Sequence, residues 1–290
     1  MIEMATRAQK LKMESLDRYL PLLRETDLRL MSAAGGGPTA TPGRLRADPE
    51  ALEAILRSDR LFEGLFRNPE RDPLLSASPF LVFWVLVHRV ARDLETSPFV
   101  EERIGPRRSV PVFDVASLQD FLAQGWRRAF LAELLASYTR VTSGSVRERN
   151  ARGWHRRRFS DLDPLRLAQL VEAVPDHQRP PALRRLGDLA LFLSGVFPEH
   201  VAAHPLEPRH VERLRRLLNA SGPEEVVRAA SPEKGLWLLE WLGRAAYRLA
   251  GYEEVIAVGE GFGRGRRVLN LLTGRYLYPS RQRWFPGTSG

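Results

Sequence analysis

Asp48-Pro49, Ser78-Pro79, Asp163-Pro164 and Ser231-Pro232 each set a hydrogen-bonding side chain directly before a proline. An Asp or Ser placed there accepts from the free N–H groups of a helix's first turn, and proline fits the first helical position without losing a bond. Each pair precedes an apolar pattern of helical period. After Asp48 come Leu52, Ile55, Leu56, Phe62, Leu65 and Phe66, largely at the three-and-four spacing of one buried stripe. After Ser78 the run Phe80-Leu-Val-Phe-Trp-Val-Leu-Val87 is apolar on every side, which predicts a central helix. Residues 115–141, 163–174, 183–197, 208–218 and 231–250 read as further helices. Only Ser109-Val-Pro-Val-Phe113 looks like a strand, and its proline confines it to an edge.

The expected fold is therefore all-α, a multi-helix bundle with room for two helical subdomains. Residues 1–34 read as an N-terminal helix and 35–47, opening on Gly35-Gly36-Gly37, as a flexible linker. Residues 48–141 read as a helical subdomain, 142–162 as a basic loop, and 163–290 as a second helical subdomain with a basic, aromatic C-terminus. The chain has 290 residues, 43% of them apolar, which is ample for a core. The apolar run at 80–87 is far shorter than the ~20 residues that span a bilayer. Residues 1–30 carry charges where a signal peptide has its apolar centre. A soluble, cytoplasmic protein with no transmembrane segment is expected.

The 44 basic residues include only three lysines (Lys10, Lys12 and Lys234), leaving 41 arginines against 35 acids and a formal net charge of +9. Such a balance favours anionic partners, although GC-rich codon usage also replaces lysine with arginine. The chain has no cysteine. Disulfides, thiolate catalysis, iron–sulfur clusters and cysteine-ligated zinc are therefore excluded.

The densest charge signal is Arg147, Arg149, Arg152, Arg156, Arg157 and Arg158, offset only by Glu148 and interleaved with Trp154 and His155. Guanidinium groups clamp phosphates and an indole can stack on a base, the pairing used by single-strand binders. A second basic stretch holds Arg264, Arg266, Arg267, Arg275, Arg281 and Arg283 among Tyr276, Tyr278, Trp284 and Phe285. From it Arg266, Arg267 and Arg275 join the candidate phosphate contacts. No helix-turn-helix, RRM or KH signature accompanies them.

His200, His204 and His210 form the one histidine cluster. On a helix His200 and His204 would lie one turn apart, a spacing able to share a metal ion, and Glu207 to His210 has the Glu-x-x-His spacing of di-iron bundles in a single copy. Pro205 and Pro208 limit that helix to about one turn. The alternating glycines of Gly259-Glu-Gly-Phe-Gly-Arg-Gly265 miss the dinucleotide register, because positions 264 and 266 are arginine, and they lack the P-loop lysine. A flexible loop or a close helix crossing explains them better. Gly187, Asp188, Ser194 and Gly195 interrupt an otherwise apolar helix; small residues there predict close packing, and Asp188, if buried, needs a partner.

This segment, together with Arg266-Arg-Val-Leu-Asn270 and Arg275-Tyr-Leu-Tyr-Pro279 running to Trp284-Phe285-Pro286, resembles helical bacterial proteins of uncharacterised function from GC-rich genomes. The resemblance covers roughly the C-terminal half. It implies a shared helical fold and transfers no activity or residue role.

Since no catalytic constellation stands out, the first expectation is a non-catalytic helical interaction protein with no cofactor and a protein partner. Its docking face would be an apolar patch around Leu16, Leu20 and Leu23. The alternative is binding of nucleic acid, phosphate or another polyanion by the arginine stretches. A metal-dependent helical-bundle enzyme at the histidines is the second alternative.

Overall fold

The computed structural model describes residues 16–35, 40–67, 72–105, 108–140, 143–150, 153–160, 162–204, 206–218, 234–278 and 281–285, with backbone alone at 143–150, 153–160 and 282. The fold is helical, and the strands form two separate antiparallel or hairpin pairs. Arg152 and the Ser231-Pro232 start lie outside the described residues, as do residues 1–15. Among the described residues no helix is long and apolar enough to cross a membrane.

The chain divides into two compact units, and it passes between them more than once. Unit 1 comprises residues 1–100 and 113–137; unit 2 comprises 101–112 and 138–290. This replaces the expected partition at 142–162. The excursion at 101–112 is the strand-like segment of the sequence, paired as β1 (Val100–Gly105) with β2 (Arg108–Val112). Pro111 sits in β2, in a two-stranded sheet where a missing donor is tolerated.

In unit 1 the predicted caps form as expected. Asp48 accepts from Glu50 N and Ala51 N at 3.1 and 3.0 Å to open α3 (Pro49–Leu56), after α1 (Glu25–Gly35) and α2 (Pro42–Ala47). Then follow α4 (Asp59–Phe66), α5 (Pro79–Thr96), α6 (Val115–Leu122) and α7 (Gly125–Ser137). Ser78 Oγ accepts from Leu81 N at 3.2 Å to start α5, whose residues 80–88 are all buried. This is the central helix predicted from its uniform apolarity.

Of the expected linker, residues 42–47 form α2, which places Leu45 in the core, while residues 36–39 lie outside the described residues. Of the expected apolar patch, Leu16 is 5% and Leu23 6% exposed and Leu20 is half-buried, while Tyr19, Leu28 and Met31 are fully buried. Asp27 anchors the helix that follows. Its carboxylate, itself buried, accepts from Arg24 N and from Ser78 N, each at 2.8 Å, so α1 is tied to the N-terminus of α5.

Unit 2 contains β3 (Ser143–Asn150), β4 (Gly153–Ser160), α8 (Pro164–Ala173), α9 (Arg179–Val196), α10 (Pro198–Ala203), α11 (Pro208–Leu217), α12 (Lys234–Ala250), α13 (Glu253–Glu260), α14 (Phe262–Leu272) and α15 (Arg281–Trp284). Asp163 accepts from Leu165 N at 2.9 Å at the start of α8. Every residue from Leu186 to Pro198 is buried, and α9 packs against α8, α12 and α14. Its glycines permit this, since a Cβ on Gly187 would stand 2.4 Å from the Tyr247 ring and one on Gly195 2.7 Å from Leu269 Cβ. In α12, Leu236, Leu238, Leu239 and Leu242 face the core while Trp237 is exposed.

Asp27→Ala leaves two N–H groups without their acceptor, and a buried orphan costs ~1–3 kcal/mol. We expect it to lower unit 1 stability in urea titrations by more than the ~1 kcal/mol of an ordinary cap loss such as Asp48→Ala. A pH effect comes from His88 in α5. Burial first, then the Arg128 and Arg57 charges, hold its pKa well below the ordinary 6.5. Unfolded chains therefore take up a proton that the folded state refuses. The contribution is full above about pH 6.5 and is lost as pH falls below it, at a slope of at most ~1.4 kcal/mol per pH unit. Thermal melts between pH 7.5 and 5 should show that loss, reduced in His88→Gln.

Candidate nucleic-acid interface

The stretch 142–162, expected as a loop, is an antiparallel ribbon. β3 pairs with β4 in the register Ser143 with Ser160, Ser145 with Arg158, Arg147 with Arg156 and Arg149 with Trp154, closing on Asn150 with Gly153. The intervening pairs are Gly144 with Phe159, Val146 with Arg157 and Glu148 with His155. Directly paired residues share a face, and faces alternate along a strand. One face position set therefore collects Arg147, Arg149, Arg156 and Arg158 with Trp154 and no acid. Arg157, Glu148 and His155 fall on the other. Successive rows on a face are ~6.7 Å apart, giving a short ladder of positive positions.

The C-terminal arginines have a different role. Arg266 is 8% exposed and Arg267 is half-buried; both pair with the buried Glu102 carboxylate on β1, Arg267 through Nε at 3.0 Å. Arg266 Nε also lies 3.8 Å from Glu240 on α12. These groups are internal ion-pair partners, which corrects their assignment as phosphate contacts. Arg281 pairs with Glu199, donates to Val196 O at 3.2 Å and covers the Phe197 ring at 4.9 Å. Burial, with Arg103 nearby, pushes its pKa down. Trp284 and Phe285 are core residues, Phe285 standing edge-on to Phe192 and Phe197. Of the three arginines nominated here, Arg275 alone is exposed, on the π-helical turn Thr273–Leu277.

His200 and His204 do come together. Their ring centroids are 4.5 Å apart, His204 Nδ1 lies 3.1 Å from His200 O, and burial followed by the His204 charge lowers the His200 pKa. His210, on α11, does not join them: among the described residues no group of three His, Cys, Asp or Glu is placed to hold a metal ion. The glycine run is a helix crossing. α13 and α14 meet at Gly261, with a Cβ on Gly259 falling 3.3 Å from Tyr247 Cβ and one on Gly263 3.3 Å from Glu240 Oε1.

No family model, curated protein or solved structure matches the chain. The assignment of roles therefore rests on geometry.

Two partners were missed in the sequence, Glu102 and Tyr247. Glu102 is the anchor of the C-terminal arginines, yet it lies 165 positions from Arg267. Asp188, flagged as needing a partner, finds Tyr247 OH donating at 2.8 Å, with Arg184 Nε at 3.6 Å. Burial and that carboxylate raise the Tyr247 pKa well above 10.0. Glu102→Gln should destabilise unit 2 by ~3–5 kcal/mol because it strands the buried Arg266 guanidinium together with the half-buried Arg267. Arg283→Ala, at an exposed site, should stay within ~0.5 kcal/mol. Denaturation of the two variants side by side checks the contrast.

Proposed function

We propose that the protein binds single-stranded nucleic acid through the β3–β4 ribbon. The observation that carries this reading is the register, which gathers Arg147, Arg149, Arg156 and Arg158 with Trp154 on one face position set. Arginine supplies planar, always-charged forks for phosphate oxygens, and an indole at the end of the row offers a stacking surface for a base. The net charge of +9 adds long-range attraction for a polyanion. A two-stranded ribbon is also an element that proteins lay along nucleic acid.

Fluorescent single- and double-stranded oligonucleotides titrated across a salt series test the proposal. Neutralising about four phosphates on a single strand predicts a log–log salt slope near about −3. Arg147→Glu combined with Arg156→Glu should abolish binding at physiological salt. Trp154→Ala should weaken single-strand binding by about tenfold, the value of one lost stacking contact. Unchanged affinity in the double charge reversal, or a flat salt dependence, rejects the ribbon as the site.

A further inference from the structure

The segment Arg275-Tyr-Leu-Tyr-Pro279 carries an exposed tyrosine out of the core of unit 2. Residues Thr273–Leu277 form a π-helical turn, closed by Tyr278 N donating to Thr273 O at 2.9 Å. Such turns are rare and occur often at functional sites. Thr273 and Leu277 are buried and hold the turn in place. Tyr278 leaves it with φ −81° and ψ 139°, the extended backbone that a following proline imposes. Its side chain therefore departs from the helix, and the residue stays 52% exposed.

Two guanidinium groups stand over this ring. Arg103 of β1 lies 4.6 Å from the centroid and Arg281 of α15 lies 5.9 Å away. Of the exposed aromatic residues Phe99, Phe113, Trp237, Tyr252 and Tyr278, only the last has such neighbours among the described residues. The backbone of Arg103 is fixed on both sides, its N donating to Asn270 Oδ1 at 2.8 Å and its O accepting from Asn270 Nδ2 at 3.0 Å. A held strand and a hydrogen-bonded turn thus set the pair.

The two arginines differ in what remains for a ligand. Arg281 is engaged by Glu199, by Val196 O and by the Phe197 ring, with a side chain 14% exposed, so it supports the ring. Arg103 forms no ion pair among the described residues. Exposed Glu101, two positions earlier, does not meet it, and Glu102 falls on the opposite side of the strand with Arg266 and Arg267. The guanidinium nitrogens of Arg103 have no acceptor among the described residues, and none of them is buried, so they face solvent. A guanidinium over a ring keeps its N–H donors for an anion. At 52% exposure the tyrosine ring is not enclosed, which leaves ring surface for a second planar group. Arg275, exposed on the same turn, adds a positive position.

An aromatic surface beside an unneutralised fork is the combination that takes a base together with its phosphate. We infer that Tyr278 and Arg103 form a second contact for single-stranded nucleic acid, the ring stacking on a base and the guanidinium binding a neighbouring phosphate. This rests on the function proposed above, with the ribbon and this contact both belonging to unit 2. Every base has a π face, so the contact is indifferent to sequence. Bases paired inside a duplex are already stacked, so it discriminates for single strands.

The test uses the full chain and a single-stranded oligonucleotide carrying 5-iodouracil. Irradiation joins this base to the aromatic ring it lies on, and mass spectrometry of the digested conjugate identifies the residue. Tyr278 should carry the nucleotide. Tyr278→Ala should lower single-strand affinity about tenfold and leave duplex affinity unchanged, while Tyr278→Trp restores the parent value. Arg103→Gln breaks no ion pair and should bring the log–log salt slope closer to zero by about 0.7, the contribution of one phosphate. If Tyr278→Ala and Arg103→Gln bind as the parent does, the inference is overturned, and attachment at Trp154 then leaves the ribbon as the site. Attachment at Tyr278 that survives Arg147→Glu combined with Arg156→Glu supports the inference and removes the ribbon. Failure to bind any oligonucleotide overturns both.

Discussion

A single carboxylate, buried and gripped by two guanidinium groups, sets the organisation of unit 2. Glu102 is 4% exposed and meets both Arg266 and Arg267. A charge in that position is tolerated only when paired, and removing either side strands the other in a low-dielectric interior. The pairing draws the β1–β2 hairpin to α14, and Asn270 completes the attachment by accepting from Arg103 N at 2.8 Å and donating to Arg103 O at 3.0 Å. Arg266 then reaches on toward Glu240 of α12. Residues 101–112 belong to unit 2 for this reason, although unit 1 flanks them on both sides in the chain. At the points of departure and return the Phe99 and Phe113 rings stand 5.9 Å apart within unit 1.

The same chemistry explains the division of labour among the arginines. Where a guanidinium lies within reach of a part-buried acid or a buried ring, it is structural: Arg128 with Glu53, Arg281 with Glu199 and Phe197, Arg185 over Tyr138 at 3.9 Å. The β3–β4 ribbon differs because its register gives one face four arginine positions and no acid. A composition dominated by arginine thus conceals two populations, and only their three-dimensional placement separates them.

Helices were legible because their signals are local. Asp48, Ser78 and Asp163 make the caps their sequence positions imply, and the apolar run at 80–87 becomes a fully buried helix. The small residues of α9 pack as their size suggests, with Gly187 against Tyr247 and Gly195 against Leu269. What failed to show was non-local. The ribbon's strands carry arginine on both faces, so the period-two alternation that marks a strand is absent from Arg147 to Arg158. Asp27, which ties α1 to α5, accepts from Ser78, 51 positions away. Arg103 and Tyr278 lie on separate elements far apart in the chain, and no motif links them.

The reach of Glu102 has a consequence for biosynthesis. Its partner Arg267 emerges 165 residues later. At ordinary translation speeds of ~5–20 residues per second, the hairpin waits on the order of ten seconds or more before its counter-ions exist. Unit 1 meanwhile has all of its residues once Ser137 has left the ribosome. During that interval the nascent chain holds an N-terminal body able to close, with a tethered hairpin that belongs to the other unit. The late helices α12 and α14 therefore complete the assembly of a segment synthesised long before them.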